Sequence, residues 1–326
     1  MNHPLSSPYC PSILLETADA STNLLPYLGK RAQWRAFNQR LLKCLGAWML
    51  LLGWMSWGWA AEPLPPVRIG LTPVFLDDQA AFVSEWRKYL ELHLARPVVF
   101  IRRGSYREIV DMLREGKLDF AWLCGYPYIR NKPYFRLVAT PLYQGEPLYQ
   151  SYLIVPDHDK QTLSINGLRG KIFAFSDPDS NSGHLYPEYI LAQKGETAAH
   201  YFAKTFYTGS HRKVIEAVAT GLAQGAAVDG YIWDTLALSH PELTRKTRVI
   251  AKSPQFGHPP FVAGQRVSAA RLIAMRRALL SMSQDQAGLV MLKGLNLDGF
   301  VESDPRLYDG ITDMFHFIEK QRNVAL

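Results

Sequence analysis

The chain has 326 residues, of which 48% are hydrophobic and 20% charged, a composition typical of a globular protein with one large domain or two lobes. The formal net charge is +7. Residues 1–60 contribute +3 through five basic and two acidic residues, and the other +4 is spread without a basic run. Because a nucleic-acid surface needs clustered lysine and arginine, we expect no nucleic-acid binding.

The segment from Arg40 to about residue 60 has the features of an export signal. Arg40 and Lys43 precede an uncharged apolar run that ends at Trp57, and small residues suited to signal peptidase follow it. This run is shorter than the about 20 apolar residues of a spanning helix, and an uncleaved membrane anchor is the alternative. We therefore predict that residues 1–61 are a leader and that the protein is periplasmic.

The export prediction limits what the cysteines do. Cys10 and Cys44 lie in the predicted leader, so a cleaved product keeps Cys124 alone and has no internal disulfide. A single cysteine in an oxidising compartment is either a buried apolar residue or a functional thiol.

Strand and helix patterns alternate after the prolines at 63–66. They predict strands at 67–71, 97–101 and 118–123, and helices at 80–94 and from Ser105 to about 114. Ser105 and Glu108 form a capping box at the start of the second helix. This order predicts an α/β lobe with a mostly parallel sheet.

A second lobe is predicted to begin near residue 151. Its predicted strands are 151–155, 171–175, 205–207, 226–228 and 248–251, and its predicted helices are 184–193, 209–219 and a helix after Gly230. Beyond Pro260 the chain is predicted to be mainly helical, at 269–280, 287–293 and 307–320. We predict lobe 1 from 66–149 plus 258–326 and lobe 2 from 150–257, with two crossings between them.

Two polar loops follow predicted strands of the second lobe, where ligands bind in open α/β sheets. Ser180, Asn181 and Ser182 precede a helix, so free backbone N–H groups and hydroxyls favour an anion there. An ordinary helix cap would explain one of these residues but not all three. His211, in the first turn after Ser210, is either a donor to a ligand oxygen or a surface residue.

Two further strand ends carry candidate ligand-binding side chains. Asp229 either accepts a hydrogen bond from a protonated ligand group or caps the helix that follows it. Cys124 precedes a predicted helix that has Tyr128 in its first turn. We expect the helix N-terminus to lower the pKa of the Cys124 thiol and to make it a soft ligand.

Motifs of common enzymes are absent from the sequence. No pattern ties a histidine to Cys124 as its base, and Ser180-x-Ser182-Gly is not a nucleophile elbow. The sequence has no phosphate loop, no dinucleotide fingerprint and no Cys/His set at zinc spacing. We therefore expect no catalytic residues, no cofactor and no metal site, with Cys124 as a candidate metalloid ligand.

The sequence resembles the periplasmic phosphate/phosphite/phosphonate-binding proteins of ABC transporters over about residues 67–320. The resemblance is carried by residues 175–187 (Phe-Ser-Asp-Pro-Asp-Ser-Asn-Ser-Gly-His-Leu-Tyr-Pro), 209–211, 227–234 and 253–260. It implies a type II periplasmic-binding-protein fold, in which two α/β lobes joined by a two-crossing hinge close on a ligand.

The resemblance also implies which residues bind the ligand. The hydroxyl-rich phosphonate loop of the family falls on residues 180–182, its motif histidine on His211, an acidic ligand contact on Asp229, and the tyrosine of its Gly-Pro-x-x-Tyr stretch on Tyr128. Cys124 replaces a glycine of the phosphonate binders, and Asn181 replaces a hydroxyl residue. A cysteine here is similar to the arsenite-sensing branch of the family. The predicted ligand-binding set is Cys124, Tyr128, Ser180, Asn181, Ser182, His211 and Asp229.

From these observations we expect a monomeric solute-binding protein for a small oxyanion or its neutral acid. Phosphonate, phosphite and phosphate are candidate ligands, as is arsenite through Cys124. The expected partner is an ABC permease in the inner membrane. The alternative partner is a membrane histidine kinase, to which the protein would report its ligand.

Overall fold

The computed structural model describes residues 64–73 and 80–324, so the predicted leader with Cys10 and Cys44 lies outside the described residues. The described chain forms two α/β lobes joined by a two-stranded ribbon. None of its helices is both long and apolar enough to cross a membrane.

The described residues form thirteen strands and eleven α-helices. In chain order, the strands are β1 Val67–Leu71, β2 Val98–Arg102, β3 Phe120–Trp122, β4 Phe135–Leu142, β5 Leu148–Tyr149, β6 Ser151–Pro156, β7 Ile172–Phe175, β8 Lys204–Tyr207, β9 Gly225–Asp229, β10 Thr247–Lys252, β11 Phe256–Gly257, β12 Phe261–Gly264 and β13 Gly299–Val301. The α-helices are α1 Ala80–Leu94, α2 Tyr106–Arg114, α3 Gly125–Arg130, α4 Tyr186–Ala192, α5 Ala198–Tyr201, α6 His211–Ala219, α7 Gly230–Ser239, α8 Pro241–Thr244, α9 Ala269–Leu280, α10 Gln286–Leu295 and α11 Asp309–Val324.

Each lobe has its own sheet. The six-stranded sheet of the first lobe has the order β13–β4–β12–β3–β1–β2, and the five-stranded sheet of the second has the order β10–β6–β9–β7–β8. Between them, β5 pairs antiparallel with β11, with Tyr149 opposite Phe256. The chain therefore passes between the lobes at this ribbon, close to the predicted crossings. The lobe boundaries predicted from the sequence stay a prediction.

The prediction of a mostly parallel sheet in the first lobe is wrong. β1 runs parallel to β2 and β3, and β7 runs parallel to β8 and β9. Antiparallel strands complete both sheets: β12 pairs with β3, and β6 pairs with β9. The reason is that β12 and β6 enter their sheets from the crossings. β3 and β9 end on the side of the sheet where the crossings lie, so β12 runs opposite to β3 and β6 runs opposite to β9.

The region after Pro260, predicted to be mainly helical, also contains strands. β12 and β13 both lie there, and each pairs antiparallel with β4. The predicted helices of this region are present as α9, α10 and α11. The final part of the chain therefore completes the first lobe with two strands as well as three helices.

Aromatic side chains form the centre of the first lobe. Trp86 of α1 packs edge-on against Trp122 of β3, with ring centroids 5.7 Å apart, and against Phe261 of β12 at 6.4 Å. All three side chains are fully buried. Because they come from a helix and two adjacent strands, this cluster fixes the end of β3 from which the next loop departs.

Candidate functional site

Loops that follow β3 and β7 meet between the two lobes. Cys124 comes two residues after β3 and is the N-cap of α3. Asn181 comes from the loop after β7, in the other lobe, and its backbone N–H donates to Cys124 Sγ at 3.3 Å. Both residues are buried, so this contact joins the lobes at a site that water does not reach freely.

The loop after β7 is held in one conformation by its own hydrogen bonds. Ser180 Oγ accepts from the N–H of Gly183 at 3.0 Å, and the Ser180 N–H donates to the carbonyl of Asp177 at 2.9 Å. A Cβ atom at Gly183 would lie 2.0 Å from Ser176 Oγ, so this position admits glycine alone. Residues 181–185 form one π-helical turn that leads into α4. The three predicted residues Ser180, Asn181 and Ser182 are fully buried.

His211 connects this loop to the end of β9. Its Nδ1 accepts from the Asp229 N–H at 3.1 Å, so Nε2 carries the proton and donates to Ser180 Oγ at 3.4 Å. Burial lowers the pKa of His211 to about 3, and the ring is neutral at neutral pH. The surface alternative for His211 is therefore wrong. Both ring nitrogens therefore contact the protein, and His211 links the loop after β7 to the end of β9.

Asp229 caps α7, which is one of the two roles that the sequence predicts for it. Its Oδ1 accepts from the Ile232 N–H at 3.3 Å, and the residue is buried. Burial raises the pKa of this carboxyl to about 8, against the opposing effect of the backbone N–H groups of Ile232 and Tyr231. Asp229 is therefore mostly protonated at neutral pH, and its OH group is a hydrogen-bond donor.

The expected lowering of the pKa of Cys124 is wrong. Burial raises the pKa of the thiol to about 11, although the N–H groups of Asn181 and Tyr126 act in the opposite direction. The helix that Cys124 caps has six residues, and desolvation of a thiolate outweighs what its N-terminus supplies. Cys124 is therefore a protonated thiol at neutral pH.

Tyr128 lies on the helix that Cys124 caps, and its backbone N–H donates to the Cys124 carbonyl at 3.3 Å. Its ring packs edge-to-face against Tyr308, with centroids 5.1 Å apart, in a hydrophobic cluster that also contains Ile311. The other six predicted site residues lie together: Asn181 contacts Cys124, and His211 contacts both Ser180 and Asp229. The structure therefore places Tyr128 as packing for α3, next to the site.

Three buried side chains of the site were not predicted. Tyr106, the first residue of α2, lies at the carboxyl end of β2, and its N–H donates to Asp177 of the other lobe at 3.4 Å. Tyr149 accepts from Asn181 Nδ2 at 2.9 Å. His258 follows β11, and its ring lies 5.7 Å from that of Tyr149. Tyr106, like Cys124, follows a strand and could have been predicted from that position. Tyr149 and His258 lie at the crossings, where no sequence pattern marks them as site residues.

Several buried polar atoms at this place have no hydrogen-bond partner among the described residues. They are the Tyr106 hydroxyl, Asn181 Oδ1, the Ser182 hydroxyl and both ring nitrogens of His258. Buried polar groups in proteins are nearly always paired, because an unpaired one costs about 1–3 kcal/mol. A small polar ligand held between the lobes would satisfy these groups.

Ion pairs at the edge of the site hold the lobes together. Asp179, from the second lobe, accepts from Arg130 Nη1 at 2.7 Å and lies 3.6 Å from Arg107 Nε, both in the first lobe. Asp179 is largely buried, so the pair with Arg130 is stronger than a typical surface ion pair. The described residues contain no group of three or more His, Cys, Asp or Glu side chains that fits a metal ion.

Comparison with known proteins identifies the family. The family model for the periplasmic substrate-binding protein of phosphonate ABC transporters matches residues 69–308. The chain belongs to this family.

Relatives in the phosphonate-binding family support the assignment. The phosphonates-binding periplasmic protein of Escherichia coli is 30% identical over 202 residues, which span 59% of this chain and 59% of that protein. The probable phosphite-binding protein PhnD1 of Prochlorococcus marinus is 23% identical over 256 residues, 74% of this chain and 84% of that protein.

Solved structures show the same two-lobed fold. A binding protein of an ABC phosphonate transporter from Pseudomonas aeruginosa superposes with a TM-score of 0.73 at 22% identity, over 79% of this chain and 88% of that one. PhnD1 of Prochlorococcus marinus in complex with methylphosphonate gives a TM-score of 0.70 at 21% identity, over 78% and 98%. The predicted fold class is confirmed.

Proposed function

We propose that this protein binds a small oxyanion, or its neutral acid, between its two lobes and delivers it to an ABC permease in the inner membrane. The observation that carries the proposal is the contact between Asn181 and Cys124, which brings the lobes together around buried polar groups without partners. Family membership supports the transport role. The role needs no catalysis.

The groups at the site favour a ligand of low charge. The cluster contains hydroxyls, an amide, a thiol, two imidazoles and a carboxyl whose pKa is raised to about 8 by burial. Cys124 and the neutral His211 add no net charge at neutral pH. A multiply charged ligand would lose its hydration without gaining a full countercharge from these groups.

The thiol supports arsenous acid as one candidate ligand. Arsenous acid is neutral near pH 7, and its hydroxyls can pair with Ser182 and Asn181. In a reaction with Cys124, an S–As bond forms, one As–O bond breaks, and the thiol proton leaves with the released hydroxyl as water. The phosphorus oxyacids need no such bond and would be held by the hydroxyl and amide groups alone.

A thermal-shift panel tests this proposal. Phosphate, phosphite, methylphosphonate and arsenite are added separately to the purified protein. A ligand at 100 times its Kd stabilises the folded state by about 2.7 kcal/mol, which raises Tm by roughly 5–10 °C. An unchanged Tm with all four compounds would show that the proposed ligand class is wrong.

Replacing Cys124 with Ser separates the two kinds of ligand. The hydroxyl of serine can accept the Asn181 N–H in place of the thiol but cannot form the bond to arsenic. We expect Cys124→Ser to abolish arsenite binding and to retain binding of phosphorus oxyacids. Undiminished arsenite affinity in this variant would exclude the thiol as the arsenic ligand.

A second candidate role is ligand reporting to a membrane histidine kinase, which the similarity of Cys124 to the arsenite-sensing branch suggests. The two roles differ in what the closed protein recognises. Pull-down of detergent-solubilised inner membrane with ligand-saturated protein should recover permease subunits if the role is transport. Recovery of a histidine kinase instead would favour the sensing role.

A further inference from the structure

His258 is held in a fixed position between the lobes. Its backbone N–H donates to the carbonyl of Pro147 on the other crossing at 2.9 Å, and its carbonyl accepts from the Tyr308 hydroxyl at 3.0 Å. These two bonds anchor the residue to both the first lobe and the ribbon formed by β5 and β11. The position of its backbone is therefore set by the fold.

The ring of His258 lies among three tyrosines. It packs edge-on against Tyr231 at a centroid distance of 4.9 Å, and it lies 5.7 Å from Tyr149 and 6.5 Å from Tyr143. The hydroxyl of Tyr143 donates to Asp234, and that of Tyr231 donates to the carbonyl of Leu295. The imidazole is fully buried, and neither of its nitrogens has a hydrogen-bond partner among the described residues.

A ring in this environment is neutral. Burial lowers the pKa of His258 to about 3, although the nearby carbonyl of Pro259 acts in the opposite direction. Whichever tautomer is present, a neutral imidazole has one N–H donor and one nitrogen that accepts. The accepting nitrogen needs a hydrogen-bond donor, and a deprotonated oxygen of a ligand is not a donor.

Asn181 provides a second acceptor of the same kind. Its side-chain NH₂ group donates to the Tyr149 hydroxyl, which leaves the carbonyl oxygen Oδ1 buried without a partner. Tyr149 thus links the two residues, since its hydroxyl contacts Asn181 and its ring lies next to His258. Two buried acceptors therefore flank the same tyrosine.

We propose that His258 and Asn181 make this cleft selective for oxyacids that carry at least one hydroxyl group, and that it excludes fully deprotonated oxyanions such as sulfate and alkylsulfonates. The inference rests on the proposed function and narrows its ligand class. A hydroxyl of the ligand donates to each acceptor. An oxyanion without hydrogen would place negative oxygens against two buried lone pairs, and this repulsion gives the selectivity.

Calorimetric titration of the full chain tests the selectivity directly. Phosphate, phosphite, methylphosphonate and arsenite, at about pH 6 where the phosphorus acids keep a hydroxyl, are compared with sulfate and methanesulfonate. We expect the best hydroxylated acid to bind at least about 30-fold more tightly than either sulfur compound. Sulfate binding as tight as the best hydroxylated acid would overturn this inference and leave the proposed function standing. Absence of binding by every compound would overturn the proposed function and this inference with it.

Two substitutions at residue 258 separate its acceptor from its bulk. The variant His258→Phe keeps a flat ring but has no acceptor there. The variant His258→Gln keeps both an acceptor and a donor. We expect His258→Phe to weaken binding of the best hydroxylated acid about 10-fold or more, and His258→Gln to bind within about threefold of the unchanged protein. Equal affinity of His258→Phe and the unchanged protein would overturn the role of His258.

A measurement on the unchanged protein remains decisive if the variants do not fold. In ¹⁵N spectra of histidine-labelled protein, the unprotonated ring nitrogen of His258 should shift when the ligand saturates the site, because it then accepts a hydrogen bond. An unchanged signal at saturation would overturn the inference.

Discussion

Replacing Asp229 with Asn should make the protein more stable at alkaline pH. Burial raises the pKa of the Asp229 carboxyl from 3.8 to about 8, and Asp234 is the charged group that adds to this rise. The folded state therefore binds this proton more tightly than the unfolded chain does. The resulting stability is fully present below about pH 4 and is lost as the pH rises towards about 8.

The size of the effect follows from the shift. About four pKa units, at about 1.4 kcal/mol each, correspond to roughly 5–6 kcal/mol lost by the unchanged protein over this range. Asn keeps an oxygen that accepts from the Ile232 N–H, so the cap of α7 is preserved, and it does not ionise. The stability advantage of Asp229→Asn should therefore grow by about 1.4 kcal/mol per pH unit between about pH 5 and pH 8.

Urea unfolding in a series of buffers measures this difference, because the free energy of unfolding is linear in urea concentration. Asp313→Asn, at an exposed position of α11, is the matched control and should follow the pH dependence of the unchanged protein. A free-energy difference between Asp229→Asn and the unchanged protein that stays constant with pH would refute the reasoning.

Three other predictions concern the loops and the lobe contact. Ser180→Ala removes a helix cap and the acceptor for His211, so we expect a loss of about 1–2 kcal/mol in the free energy of unfolding by urea titration; a change under about 0.3 kcal/mol would contradict this role. Arg130→Met breaks the ion pair with Asp179, and we expect ligand dissociation about 2–10-fold faster in stopped-flow measurements; an unchanged rate would show that the pair does not hold the lobes closed. Since burial lowers the pKa of His211 and of His258 to about 3, the two rings together should lose about 2.7 kcal/mol of stability per pH unit as pH drops from about 6.5 towards 3. In Asp229→Asn, which lacks the opposing gain from Asp229, the urea midpoint should therefore fall over this range, and a rising midpoint in that variant would be inconsistent with two buried neutral rings.

Local patterns predicted the helices better than the sheets. The N-cap of the predicted capping box is present, since Ser105 Oγ accepts from the Glu108 N–H, and α1 and α9 have the predicted bounds. These features depend on residues a few positions apart. The antiparallel entry of β12 next to β3 depends on pairing between residues about 140 apart, such as Phe261 and Trp122, and no local pattern reports it.

The site shows the same limit. The position of Cys124 at a strand end was predictable, but its raised pKa was not, because burial in the folded protein decides it. His211 was predicted as a ligand contact or a surface residue, and its partners Ser180 and Asp229 became visible only in three dimensions. His258 was not predicted as a site residue, because its position depends on hydrogen bonds to Pro147 of the ribbon and to Tyr308 of the first lobe.

The central claim is that both lobes contribute groups to one enclosed ligand. A crystal structure of the protein with the compound that raises Tm most in the panel tests it most directly. We expect ligand density between the lobes, within hydrogen-bond distance of Ser182 and Asn181 from the second lobe and within contact of Cys124 or Tyr106 from the first. Ligand density on the outer surface of one lobe, with these groups still unpaired, would contradict the account.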